Sequence, residues 1–206
     1  MFENYWKFTI CGKHANVFVC VYFFCSWLYF QVLGADILQT KEPTKTFDLL
    51  RYHIQAVRDT YEMLNCSTVH IIVERNLGFE AEHLFRECRD TIENCLFIGE
   101  PLCDRIGVLT TQQLKLAFVT YSNIIMRENR MFVSKSDLFV DVGKRKTRNV
   151  LFDQLSFFGF TFSRPDNQFQ KEKYAISGKS SGGKDDLCMA LLIGMYFCID
   201  GRYDLR

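Results

Sequence analysis

Apolar and polar residues follow two periods along this chain, and the period changes where one element should give way to the next. Residues 17–30 are almost wholly apolar, broken only by Ser26, and rich in Val, Phe, Tyr, Cys and Trp. Such residues favour strands. With Lys7 and Lys13 ahead of it the run has the outline of a signal anchor, but it is short for a spanning helix, and a signal peptide would want a small-residue cleavage site after it. One or two buried strands leading into residues 31–36 are expected instead. Residues 44–64 then change to helical spacing, with Phe47, Leu50, Ile54, Val57, Tyr61 and Leu64 three and four apart and Thr46 placed to cap.

A short apolar strand over Val69–Val73 ends in Glu74-Arg75-Asn76. Gly78 opens a further helix with Ala81, Leu84, Phe85, Cys88 and Ile92 inward, and residues 95–98 form a strand. Residues 110–126 read as a helix with a capping box, Thr110 with Gln113, and a buried stripe of Leu114, Ala117, Phe118 and Tyr121. A short strand over 131–133, a helix over 149–157 and a strand over 174–176 follow. The last helix is apolar on every side: Leu187, Ala190, Leu191, Gly194, Met195 and Cys198 mark one face, and Leu192 and Ile193 the other, so it is expected to be buried. Strands alternating with helices indicate an α/β sheet covered on its faces.

Composition narrows the function more than the fold. The chain has 206 residues, 48% hydrophobic and 24% charged, with net charge +1. That supports one core and excludes global disorder. It also excludes an overall basic field, so any nucleic-acid surface must be local. The nine Cys show no C-x-x-C pair, which points to reduced thiols rather than a disulfide scaffold or structural zinc. Residues 1–30 stand apart as an N-terminal segment, a strand or a start not native to the fold, ahead of a domain over 31–206.

Two places carry candidate chemistry. Asp185 and Asp186 sit where a glycine-rich loop turns into the last helix. They can cap that helix, or hold a divalent cation at the edge of a core if other ligands join them. Glu74 stands at the C-terminal end of a strand, where ligands collect in open α/β sheets. The loop Gly178 to Lys184 fits G-x-x-x-x-G-K, but Asp185 follows where Ser or Thr is needed to hold Mg²⁺, and an acid there would repel phosphates. His53, His70 and His83 lack partners at ligand spacing and read as structural. Lys144-Arg145-Lys146-Thr147-Arg148 forms a basic cluster suited to DNA phosphates or to nuclear import, or simply a solvated loop.

Three motifs fall in a telling order: Val73-Glu74-Arg75-Asn76, then Gly107-Val108-Leu109-Thr110-Thr111 with Lys115, then Gly183-Lys184-Asp185-Asp186-Leu187-Cys188-Met189-Ala190-Leu191. That order resembles the C-terminal nuclease domain of the terminase large subunit of tailed phages and herpesviruses. The resemblance implies an α/β fold with an RNase H-like mixed sheet flanked by helices. It matches Glu74 to the family's second acid and the Asp185–Asp186 pair to its third. The first acid belongs on the first strand, and residues 1–30 offer only Glu3, so the first strand is expected to be lacking or altered and the chain to be a fragment.

The implied activity is a divalent-metal-dependent DNA endonuclease, a hydrolase cutting concatemeric viral DNA during packaging. Mg²⁺ or Mn²⁺ would be held by Glu74, Asp185 and Asp186, and water would attack with no covalent enzyme intermediate. Lys115, Lys144, Arg145, Lys146, Arg148 and Lys184 would meet the DNA backbone. The implied partners are double-stranded DNA, other terminase subunits and the capsid portal, with no membrane, in the host nucleus or, for a phage-like system, the cytoplasm. The alternative is a catalytically incomplete domain that only binds DNA or serves assembly.

Overall fold

The computed structural model describes residues 5–11, 17–25, 29–39, 43–75, 80–99, 105–163, 173–177, 185–199 and 204–205. Three strands come first: β1 (Tyr5–Cys11), β2 (Val17–Cys25) and β3 (Phe30–Gln39). They form an antiparallel meander, with one irregularity in the β2–β3 register between Tyr22 and Phe23. Residues 17–25 and 30 of the β-branched and aromatic run therefore fold as sheet. No described helix is long and apolar enough to cross a membrane. β1 reads YWKFTIC, a strand without an acid.

Two strand–helix–strand crossovers follow the meander. Helix α1 (Pro43–Thr60) and a 3₁₀ turn at Glu62–Leu64 lead to β4 (Val69–Val73), and α2 (Glu80–Arg89) leads to β5 (Cys95–Gly99). β4 lies parallel to both β1 and β5. Helix α1 starts at Pro43, whose fixed φ suits a first helical position, so Thr46 lies inside the first turn rather than at the cap. Helix α2 is first described at Glu80; Gly78, expected to open it, lies outside the described residues.

Helix α3 (Gln112–Arg127) runs into β6 (Met131–Val133), which pairs parallel with β3. Its cap is Thr111, not Thr110. Thr111 is extended at φ −94°, ψ 166°, and its hydroxyl accepts the Leu114 amide at 3.1 Å. The Thr110 hydroxyl is buried without a hydrogen-bond partner. The expected Thr110–Gln113 box is thus one residue out of register.

The basic cluster is folded more tightly than its charge suggested. β7 (Asp141–Val142) and β8 (Arg145–Lys146) form a hairpin turning at Gly143, which takes φ +64°. Helix α4 (Thr147–Phe157) follows at once, so Arg148 lies in its first turn. β9 (Gly159–Ser163) and β10 (Lys173–Ser177) make a separate antiparallel pair. Helix α5 (Asp186–Ile199) then crosses the sheet, and β11 (Asp204–Leu205) adds antiparallel to β5. The main sheet has the order β11-β5-β4-β1-β2-β3-β6.

Successive residues of a strand face opposite ways, and β4 is buried on both faces. Ile71 and Val73 join Leu50, Ile54 and Val57 of α1 and Leu84 and Cys88 of α2 on one face. Ile72 joins Phe118 of α3, Leu151 of α4 and most of α5 on the other. Leu187, Leu191, Ile193 and Met195 of α5 are fully buried, each contributing about 1.5–3 kcal/mol by burial. A helix apolar on all sides has no solvent face to present, and here α3, α4, β1 and β2 surround it.

Candidate active site

Glu74 follows the last residue of β4 and is 0% exposed. Since Ile72 faces α5 and Val73 faces α1 and α2, strand alternation puts position 74 on the face that α5 covers. The strand end is held by a parallel bridge between Glu74 and Val108. Val108 donates its amide to Val73 O at 2.8 Å and accepts from the Arg75 amide at 2.7 Å. Gly107, beside it, has φ +86° and donates to Ile98 O at 3.0 Å. A Cβ on Gly107 would lie 2.6 Å from Val73 O. Only glycine lets the 106–108 segment lie this close against the end of β4.

The same segment delivers α3. Three residues beyond Val108, Thr111 caps the helix, and Lys115 is buried one turn further on at 9% exposure. A Lys expected to steer the DNA backbone thus sits within the protein. Helix α3 packs on α5 through an aromatic seam: Tyr196 lies 5.1 Å from Phe118 and 5.3 Å from Tyr121, both edge-to-face. An open cleft of about 360 Å³ at this seam is lined by Leu109, Thr111, Gln113, Leu114, Ala117 and Tyr196.

The two aspartates differ. Asp185 immediately precedes α5, is 0% exposed, and its carbonyl accepts the Met189 amide at 2.9 Å. Asp186, the first helical residue, is half-buried. One turn into the helix, Cys188 donates its amide to Oε1 of Gln154 on α4 at 3.0 Å. Burial pushes the Cys188 thiol pKa up, and the Asp185 charge pushes it further.

Among the described residues, no group of three or more His, Cys, Asp or Glu gathers closely enough to hold a metal. Mg²⁺ needs no such cage, since it keeps several waters and binds through one or two carboxylates plus substrate phosphates. Glu74, Asp185 and Asp186 are the carboxylates that could serve such an ion. β1, the neighbour of β4, brings no carboxylate.

The cations of the hairpin are at the surface. Lys144, Arg145 and Lys146 are exposed and Arg148 is half-buried. Lys146 lies 3.7 Å from Asp141, Arg145 pairs with Asp153, and Arg148 stacks 5.2 Å from the Phe152 ring. Lys184 and the rest of the Gly178–Lys184 loop lie outside the described residues. So does Glu3.

Two pairings were invisible to periodicity. His53 and Asp36, 17 residues apart, join α1 to β3 by a buried contact of 2.9 Å from Nε2 to Oδ2. Gln154 falls on the buried stripe of α4 with Thr147 and Leu151, at i, i+4 and i+7. A polar residue on an apolar stripe was the one available signal for it, because a buried amide needs a partner.

A sheet with an antiparallel β1-β2-β3 meander extended by parallel β4 and β5, helices on both faces, is the RNase H-like fold. No protein-family model and no curated protein matches the sequence. Solved structures do match. The human cytomegalovirus terminase nuclease domain, soaked with manganese, superposes at TM-score 0.65 and 13% identity, over 100% of this chain and 89% of that one. The same domain without that soak gives 0.65 at 14% identity over 98% and 88%, and its inhibitor-bound, manganese-soaked form gives 0.62 at 14% over 98% and 88%. The chain has the RNase H-like fold of the viral terminase nuclease domain.

Proposed function

We propose that this chain is a terminase nuclease domain that acts on double-stranded viral DNA during packaging, with Glu74, Asp185 and Asp186 as its site carboxylates. One observation carries the reading beyond the fold likeness. Buried acids stand at the end of β4, where α/β sheets bind ligands, and at the mouth of α5, a helix that packs on β1 and β2.

Glu74 and Asp185, with Asp186 at the rim, would hold Mg²⁺ or Mn²⁺. The ion supplies neutralisation of phosphate charge as the phosphodiester is hydrolysed. The chain's own residues do the positioning. Gly107 and Val108 fix the height of Glu74 against the sheet, and α5 fixes Asp185. The exposed Lys144, Arg145 and Lys146, with Arg148, offer a local cationic surface for the DNA backbone. Their present partners at the surface are worth little, roughly 0–1 kcal/mol each, so phosphates can replace them. Lys184 belongs to the same proposal by its place just before Asp185. Lys115, buried, would act on the charge of the site from within rather than as a surface contact. Other terminase subunits and the capsid portal are the partners this role implies, and the host nucleus, or the cytoplasm of a phage-like host, the place.

A second reading is favoured by the acid-free β1: the domain binds DNA or serves assembly and cuts weakly. Plasmid nicking by the purified protein with Mg²⁺ and Mn²⁺ separates the two. Weak, Mn²⁺-favoured nicking lost in Glu74→Ala and Asp185→Ala supports the nuclease. DNA binding with no nicking under either ion supports the second reading. Robust nicking that survives both substitutions sinks the site assignment.

A further inference from the structure

We propose that Phe152 and Arg148 of α4 form a stacking platform for an unpaired nucleobase, so that the basic hairpin holds single-stranded DNA more tightly than duplex. Helix α4 turns its Thr147–Leu151–Gln154 stripe into the core. Phe152 stands outside that stripe and is 38% exposed. Arg148 lies one turn before it, and its guanidinium sits 5.2 Å from the centre of the Phe152 ring. Residues four apart meet on one side of a helix, so the sequence itself sets this pair. Among the described residues, the buried Nε of Arg148 finds no hydrogen-bond partner. The guanidinium is placed by its stack on the ring.

The surroundings select the ligand. The β7–β8 hairpin brings Lys144, Arg145 and Lys146 to the start of α4, and Arg145 reaches Asp153, the residue next to Phe152. Lys144, Arg145, Lys146 and Arg148 stand against the two acids of these ion pairs, Asp141 and Asp153. The patch therefore keeps a positive balance and suits a polyanion. In a duplex the bases stack on one another and show a protein only phosphates, sugars and base edges, so an exposed ring adds nothing there. An unpaired strand also offers base faces. A cationic surface carrying an aromatic ring holds both its phosphates and its bases, and a guanidinium plane stacks on a base as a ring does. This platform presupposes the hairpin's proposed role as a DNA surface and involves neither the carboxylates nor a metal.

The test is fluorescence anisotropy of the whole chain with a labelled oligo(dT) and with a blunt duplex of the same length, in EDTA so that no cutting intervenes. The wild type should bind the oligo(dT) more tightly. Phe152→Leu keeps an apolar side chain and removes the ring; it should weaken oligo(dT) binding about tenfold (about 1.4 kcal/mol) and leave duplex binding unchanged. Phe152→Tyr keeps a ring and should keep the wild-type preference. Phe157, 61% exposed, lies five residues on and about 140° round the helix, so Phe157→Leu should change neither affinity. Should Phe152→Leu not fold, Phe152→Gln carries the same expectation and the same refutation. Equal wild-type affinity for the two DNAs, equal losses on both in Phe152→Leu, or a loss as large in Phe157→Leu overturns the platform. Lys144→Glu with Lys146→Glu serves as the reference. If that pair weakens binding of both DNAs while Phe152→Leu weakens neither, only the present inference fails. If that pair weakens neither, the proposed DNA surface itself fails.

Discussion

Strands β1 and β4 lie side by side and parallel, in register from Trp6↔Val69 to Ile10↔Val73, yet they end differently. One step beyond the last pair, β4 runs into Glu74 and β1 runs out at Cys11. Parallel neighbours open their C-terminal ends on the same crevice. Acids at both ends could share a hard cation, and the sequence of β1, YWKFTIC, brings none. The difference teaches that a fold can keep the frame of a site while one position decides its strength. β4 has its glycine brace and its buried acid, and β1 ends without an acid.

The largest expected effect comes from making the two ends alike. Cys11→Asp should raise Mn²⁺-dependent plasmid nicking at least about a hundredfold, or about 2.7 kcal/mol of barrier. Adding Glu74→Ala or Asp186→Ala to Cys11→Asp should return it to background. No gain from Cys11→Asp would separate the end of β1 from the site and leave the comparison without chemical meaning.

The next effect breaks the better end. Gly107→Ala places a methyl 2.6 Å from Val73 O in a backbone with φ +86°. Relief requires moving the 106–108 segment away from Glu74. The cost should be about 2 kcal/mol, seen as a fall of roughly 4–8 °C in the thermal midpoint. An unchanged midpoint would show that the close approach is not required.

This unevenness also marks what the sequence could show. The strand-rich 17–30 run, the amphipathic spacing of α1 and the all-apolar α5 follow from side-chain pattern alone, and each appears where that pattern put it. β1 was harder. Its seven residues include Lys7 and Thr9, and a central strand is recognised by its neighbours rather than by itself. The basic hairpin was hidden because its strands are two residues each, although Gly143 marked a turn. Of the candidate site, Glu74 and Asp185 were legible from strand end and helix mouth. Gln154 and the Asp36–His53 pair were not, since contacts between distant elements leave no period in the chain.

A smaller effect tests whether any buried acid would serve. Asp36 on β3 is nearly as buried as Glu74, but it holds His53 at 2.9 Å and accepts the Ile37 amide at 2.6 Å. Asp36→Asn keeps a polar partner for His53, so it should cost about 1 kcal/mol of stability and leave the nicking rate of Cys11→Asp unchanged. A large loss of nicking would extend the site across the sheet to β3.

The smallest effect lies in the thiols beside the better strand end. Burial pushes Cys95 on β5 up to about 12, opposed in part by the positive charge of Arg58, and burial likewise raises Cys88 and Cys188. A thiol whose folded value is raised stabilises the fold below its unfolded value, about 8.5. That contribution is lost as pH rises through the window from about 8.5 to about 12, where the unfolded chain has given up protons that the folded chain still holds. The thermal midpoint should therefore fall between pH 8.5 and 10.5, and Cys95→Ala should make the fall shallower. Alkylation at pH 8 reads the same physics more directly, since only the thiolate reacts. Exposed Cys66 should label first and Cys88, Cys95 and Cys188 last. If Cys188 labels as fast as Cys66, the first turn of α5 opens readily, and the buried place of Asp185 at its mouth opens with it.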